Sequence, residues 1–518
     1  MSWRPAFLPP GSIRWLHGST RSSAATTSAN SSVCWPHRTE THSSRQSDGN
    51  PQRPSLQEPM TATAIAPTTA TLADQLGNHF ASFDASRLTD DTRRAVKRLL
   101  LDYLGVAISG SQTESGRVAR EFAAITGGHA EATLIGGAGR VPAMQAAFAN
   151  AISSHSVELD DIDVLALFHF SPPVYSAALA TAQQVGASGQ QLLISLAAGC
   201  EMMERLSKAA NNSLRNRGFH TTPTCGVFGA TVATATLQQL SAEQIVSALG
   251  LAGASASGLM EMYGPSMQKR FNPGPAARNG VTAATIARLG FTGTSTIFDG
   301  ERGFLAAFTD SNQPEKLVTD LDRDYQLDIE FKPYSCARPI HNAIDCALEI
   351  RRKHSPDLSQ VRSIEMARHP EWAHYHQNKR PQTYHEAQVS LPYSVAVALT
   401  DGQALFAQYN NARLPEPMLL RLSDLVNITP DASLPRGVSC RMTMTMADGT
   451  RHVAQVDYPK GSIQNAMDDA ELRAKFDSLV HPVLGAERAD EIAAMVQGIE
   501  EIDDVGQLMR LTEKSAGR

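Results

Sequence analysis

The chain has 518 residues, 19% of them charged and 42% hydrophobic, with a formal net charge of −6 at neutral pH. A single core stops growing near ~250–300 residues, so this length predicts two domains. The acidic balance argues against a nucleic-acid partner, which usually meets a basic excess, and no apolar run reaches the ~18 residues of a membrane span. Six scattered cysteines form no C-x-x-C pair. That pattern suits a reducing compartment and speaks against a disulfide framework or a zinc ribbon.

Residues 1–69 read as a disordered or targeting extension. Positions 1–59 are rich in Ser, Thr, Arg and Pro, and Arg4, Arg14, Arg21 and Arg38 precede the first acid, Glu40. This is the composition of an organelle transit peptide, which would send the chain to mitochondria. The other reading starts translation at Met60 and leaves a cytoplasmic protein.

From 72 to 324 the pattern is helical. In 90–110, Val96, Leu99, Leu100, Tyr103 and Leu104 recur at three- and four-residue steps, which makes one helix face. Asp90 and Asp91 suit its N-cap or first turn, and Gly110 its end. Ala- and Leu-rich segments at 141–154, 172–187, 190–209, 226–239, 242–259 and 276–290 continue the pattern. Ser241 and Gln244 form a capping-box signature. The glycine-rich run 135–140 lacks the spacing of a dinucleotide fingerprint and reads as a tight turn between helices.

From 325 to 465 the character becomes α+β. Residues 361–368 read as a strand, and 438–459 alternate and turn at Asp448-Gly449, a hairpin signal. Helical patterns at 340–353 and 390–400 lie between them. Residues 466–512 return to helix and are expected to pack back on the first domain. The predicted fold is therefore mainly α: a large all-helical domain with an inserted smaller α+β lid domain.

Several clusters could carry chemistry. His155, Glu158, Asp160, Asp161, Asp163 and His169 form the densest polar stretch. On its own it reads first as a solvated helix end with capping aspartates; a cation site and a catalytic loop are the other readings. His220 follows Arg215-Asn216-Arg217-Gly218-Phe219 and precedes a helix, a ready anion site, although a lone histidine is more often structural. Lys269-Arg270 precede a Pro/Gly turn, either as a carboxylate site or as a basic surface turn. Cys336 reads as a packed thiol. His369, His374, His376 and His385 fit no standard metal spacing and read as a solvated loop.

Taken in order, these stretches resemble the motif set of the MmgE/PrpD family. The resemblance rests on Val157–Asp161 with His169, Gly218–His220, Met267–Arg270 with Gly274–Gly280, Gly290–Gly293 with Gly300–Phe304, Lys332–Cys336 with His341, and Glu386–Tyr393. Members of that family are dehydratases, decarboxylases and epimerases of small polycarboxylates. The resemblance implies a homodimer without a metal or organic cofactor, acting on a small di- or tricarboxylate. It places the active-site acid at Glu158, proton-carrying histidines at His169 and His220, carboxylate-binding lysines at Lys269 and Lys332, and a hydrogen-bonding tyrosine at Tyr393. Many members have Asp at the Glu158 position, and Asn272 stands where histidine is frequent. The Glu-Leu-Asp-Asp form and the Ala-Ala-Arg-Asn-Gly run are closer to the decarboxylases. The implied function is a cofactor-independent lyase, with an epimerase as the alternative. A metalloenzyme built on Glu158, Asp160, Asp161 and His169 and a non-enzymatic binding protein are the competing classes. The latter requires Lys269 and Lys332 to lie far apart.

Overall fold

The computed structural model describes residues 70–164, 167–262 and 266–514; the extension expected at 1–69 lies outside them. The described chain is mainly α, with small sheets. The predicted face of Asp90–Gly110 is buried throughout, and Thr89, one residue before the expected aspartates, caps the helix by accepting from the Thr92 backbone. Gly110 ends this helix as expected, and close packing requires glycine there. A Cβ there would stand 1.8 Å from the Ser153 carbonyl, so glycine lets this helix and Ala143–Ser154 touch. Thr221–Leu237 is apolar or small on every side and buried almost throughout, which puts it at the centre of the helical part. A Cβ on its Gly229 would lie 2.7 Å from the Gly199 carbonyl of the Gly189–Asn216 helix, another close helix approach.

Leu472, Phe476 and Val480 of the Asp469–Leu484 helix share one hydrophobic core with Leu100, Leu104, Leu196 and Phe228. Lys475 adds a buried ion pair, 2.5 Å from Asp102. A second core contains Ile344, Met366, Val395, Met442 and Met444. It lies against a four-stranded sheet in the order Val426–Pro430, Val361–Arg368, Cys440–Met446, Arg451–Val456. Ile364 pairs in parallel with Val426 and antiparallel with Met444, and the hairpin pairs Met442 with Ala454. Cys440, Met442, Met444 and Met446 alternate inward, as the period-two pattern requires. Both cores belong to one compact unit.

Two local expectations need correction. The 135–140 turn does not join two helices; it links the two-residue strands Ala132–Thr133 and Arg140–Val141. Val426–Pro430 is a strand that the sequence did not announce, because it follows a helix directly and Pro430 ends it at once.

Candidate active site

The site is built on the loop that leaves the Ala143–Ser154 helix. His155 ends that helix, and Glu158 adopts φ 57°, a left-handed backbone that costs a non-glycine residue about 1–2 kcal/mol. The carboxylates here are not a solvated helix end: Glu158, Asp160, Asp161 and Asp163 are at most 1% exposed. Each of the first three has a different task, set by its surroundings.

Asp161 anchors the loop. Its carboxylate accepts from the backbone N–H of Phe170 at 2.7 Å and of Ser171 at 3.1 Å, at the start of the Ser171–Val185 helix. Burial, reinforced by the neighbouring Asp160, raises its pKa to about 7. Asp160 serves the histidines: its Oδ2 lies 2.7 Å from His155 Nδ1 and 3.1 Å from His169 Nδ1. Burial opposes its charge, but His169 and His155 outweigh that and hold it well below the usual carboxylate range.

Glu158 gathers cations from elsewhere in the chain. Lys269 donates to its Oε1 and Arg270 to its Oε2. Lys332 Nζ stands 3.7 Å from the same Oε1 and 3.8 Å from Asp160 Oδ1. Burial would raise the Glu158 pKa, yet Lys269, Arg270 and Lys332 together hold it well below its ordinary value. Lys269 and Lys332 thus converge on one oxygen, contrary to the separation that a non-enzymatic binding protein requires. Arg270 also donates to Gln388 Oε1 at 2.8 Å, and Gln388 reaches the Val157 carbonyl at 3.2 Å. Ser335 donates to that same carbonyl at 2.6 Å. These bonds tie the loop to chain from the α+β part.

His220 lies at the start of the Thr221–Leu237 helix, its ring centroid 6.2 Å from that of His155; the His155 and His169 centroids are 5.0 Å apart. Burial dominates in all three and favours the neutral imidazole. It lowers His169 to about 3 despite Asp160, and it depresses His155 and His220 as well.

The structure therefore brings together Glu158, His169, His220, Lys269 and Lys332. Tyr393 is placed differently. Its hydroxyl donates to the Gln408 carbonyl at 3.0 Å inside the second core, and its charged neighbours are Arg413, Glu416 and Asp401. Its motif position did not reveal this, because the direction of a ring on a helix depends on what packs around it. Sequence reasoning left His155, Asp160, Arg270 and Asn272 out of the site. The first two stood in the densest polar stretch, and Arg270 beside Lys269, but nothing local tells which members of a charged run turn inward. Among the other histidines, His376 is not a freely solvated loop residue: burial lowers it to about 4, and its Nδ1 lies 3.1 Å from the Val389 carbonyl. Cys336 is fully buried, and burial pushes its thiol up to about 12, which suits packing and not nucleophilic attack.

A metal reading must use different residues from those first considered. Glu158 is committed to Lys269 and Arg270, and Asp161 to the helix start. Among the described residues, His155, Asp160 and His169 offer ligand atoms within 4.8 Å of one another. Their present contacts are those of a hydrogen-bonded cluster: His155 Nδ1 is bonded to Asp160 Oδ2, and His169 Nδ1 to the Asp161 carbonyl with Asp160 Oδ2 beside it at 3.1 Å.

The chain as a whole is similar to known proteins. Residues 74–317 match the MmgE/PrpD N-terminal domain and residues 334–501 the MmgE/PrpD C-terminal domain. The chain belongs to the MmgE/PrpD family. Among its relatives, the cis-aconitate decarboxylase-like protein oryM of Aspergillus oryzae is 30% identical over 87% of this chain and 99% of the relative. The mouse cis-aconitate decarboxylase is 27% identical over 82% of this chain and 90% of the relative. That of Aspergillus terreus is 26% identical over 73% of this chain and 83% of the relative. The family's two domains thus span both hydrophobic cores of this chain, and the cation cluster draws Lys269 from the first and Arg270's partner Gln388 from the second.

Proposed function

We propose that the chain is a cofactor-independent lyase that decarboxylates a small polycarboxylate of the cis-aconitate type. The observation that carries this reading is the Lys332 ammonium. It is 1% exposed, yet it stops 3.7 Å and 3.8 Å short of its two carboxylates. A buried ammonium has three donors to satisfy, and these gaps exceed hydrogen-bond distance. A substrate carboxylate arriving beside Lys332 and Lys269 would give that ammonium an acceptor, in surroundings where burial strengthens each Coulomb term.

Decarboxylation breaks the bond between a carboxylate carbon and its neighbour. The electron pair stays on the carbon skeleton, carbon dioxide departs, and a proton must reach that carbon. Fixed cations hold the remaining carboxylates, and a neutral imidazole can deliver the proton. His169 and His220 are the groups for proton transfer, and Glu158 sets the spacing of the cations. The α+β part acts as the cover that excludes water. Proton abstraction and return, which would make the protein an epimerase, would use the same imidazoles.

The test is incubation of the purified protein with cis-aconitate and with 2-methylcitrate in D2O, followed by NMR. Loss of carbon dioxide with deuterium gained at carbon is expected from the first acid. Water loss from the second, with no decarboxylation of the first, would make the protein a dehydratase. Deuterium exchange without net loss would make it an epimerase.

A further inference from the structure

The two proton-carrying imidazoles are held by opposite kinds of partner. Among the described residues His169 Nδ1 faces acceptors alone, the Asp161 carbonyl and the Asp160 carboxylate at 3.1 Å. Nδ1 must therefore carry the proton, which leaves a lone pair on Nε2. His220 Nδ1 instead faces the Asn272 side-chain amide, with Nδ2 at 3.0 Å. The same Nδ2 is 3.1 Å from the sulfur of Met262. A thioether offers only a weak acceptor, so the amide turns its NH2 and not its oxygen toward Met262. One NH2 can donate to both neighbours only if His220 Nδ1 is a lone pair. The His220 proton then resides on Nε2. Asn272 is 8% exposed and His220 is 5% exposed, so water competes little for these bonds. The imidazole also sits at the N-terminus of a 17-residue helix, whose positive end favours a neutral ring.

We propose that Asn272 is a positioning residue that fixes His220 as the Nε2–H tautomer. The two histidines thereby enter the reaction in complementary states, His169 Nε2 able to take a proton and His220 Nε2–H able to give one. The catalytic half of this assignment rests on the proposed lyase reading; the tautomer itself does not. In the decarboxylation, His220 Nε2–H passes its proton to the carbon that has lost carbon dioxide, the electron pair of the broken C–C bond forms the new C–H bond, and the ring is left as an imidazolate whose charge faces Lys269 and the positive end of the helix. The ring is then restored by a proton from solvent. Neither step needs a redox partner.

The experiment uses the full chain with 15N-labelled histidine and reads ring nitrogen shifts near neutral pH, His220 being assigned by its loss in His220→Gln. An unprotonated Nδ1 and a protonated Nε2 are expected for His220. An Nδ1–H tautomer, or an imidazolium, in the unsubstituted protein would overturn the assignment. Asn272→Asp supplies a carboxylate that can only accept. It should invert the His220 tautomer and lower kcat by about 100-fold with KM changed only a few-fold, the scale of lost general-acid catalysis. Asn272→His can again donate an N–H and should restore both the tautomer and turnover. An Asn272→Asp protein with the original tautomer and kcat would overturn the proposal. The shifts are read without turnover, so a protein with the expected tautomer but no activity on any polycarboxylate would sink the lyase reading alone.

Discussion

Asp160 Oδ2 lies 3.1 Å from Nδ1 of His169, and the same oxygen lies 2.7 Å from Nδ1 of His155. One buried carboxylate thus orients two imidazoles. Among the described residues His155 Nε2 is buried without a hydrogen-bond partner, so Asp160 is what holds the ring. Removing the charge while keeping the shape tests this relationship. Asp160→Asn replaces one acceptor oxygen by an N–H donor, and the rings can then turn over or change tautomer. We expect kcat to fall by about 10²–10⁴-fold, the range of misdirected general acid–base catalysis, with a far smaller change in KM. Steady-state kinetics on a folded variant checks this; an unchanged kcat would remove Asp160 from the proton-handling machinery.

Lys332 gives the complementary outcome. Its ammonium stands beyond hydrogen-bond distance of Glu158 and Asp160, and on the proposed reading a substrate carboxylate supplies the acceptor they do not. A hydrogen bond to a charged group contributes about 1.5–3 kcal/mol, or about 10–150-fold in affinity. Lys332→Met should raise KM on that scale. Lys269→Met removes a direct partner of the buried Glu158 and should also lower stability by about 3–5 kcal/mol, as the breaking of a buried ion pair does. Substrate titrations and urea unfolding of both variants separate the two effects. Equal KM values for Lys332→Met and the parent protein would contradict the substrate role.

Substrate binding should take up protons. In the free protein, burial together with the nearby cations keeps His169 at about 3 and His220 well below its ordinary value. A di- or trianion placed among them favours the imidazolium; His169 takes the proton on its open Nε2, whereas Asn272, by donating to His220 Nδ1, keeps that ring neutral, so the complex binds more protons than the free protein. Affinity should therefore tighten as pH falls toward 6. Calorimetric titrations in buffers of different ionisation enthalpy give the number of protons directly; zero uptake across that range would mean that the histidines stay neutral against the bound substrate.

What the sequence revealed follows from what is local. The Asp90–Gly110 helix and the Val361–Arg368 strand appear within the expected bounds because their periods are complete within each segment. The hairpin is legible from Asp448-Gly449 for the same reason. The site is different in kind. Glu158 meets Lys269 111 positions later, and no spacing rule spans that gap. Only the ordered motif set joined them, and it could not tell that Arg270 shares Glu158 or that Tyr393 turns to Gln408. The burial of four neighbouring carboxyl groups was also hidden, since a run of acids reads as surface until its cations are placed.

Stability should fall on the alkaline side of neutrality. Burial raises Asp161 to about 7 and Glu204 to about 8, the latter despite Lys208 at 2.5 Å. For a carboxyl raised on folding, the folded chain holds a proton that the unfolded chain has lost. This contribution is fully present below the ordinary carboxylate pKa and disappears as pH rises through the folded value. The depressed histidines do not titrate in this window, because above their ordinary value of 6.5 they are neutral in both states. Above pH 6.5, Asp161 should therefore cost up to about 1.4 kcal/mol per pH unit until about pH 7, and Glu204 the same until about pH 8. Glu204→Gln keeps the shape and removes one titration. Its midpoint of urea unfolding should decline less steeply with pH over that range than the parent protein's. Parallel slopes for the two proteins would show that Glu204 is already ionised when the chain is folded.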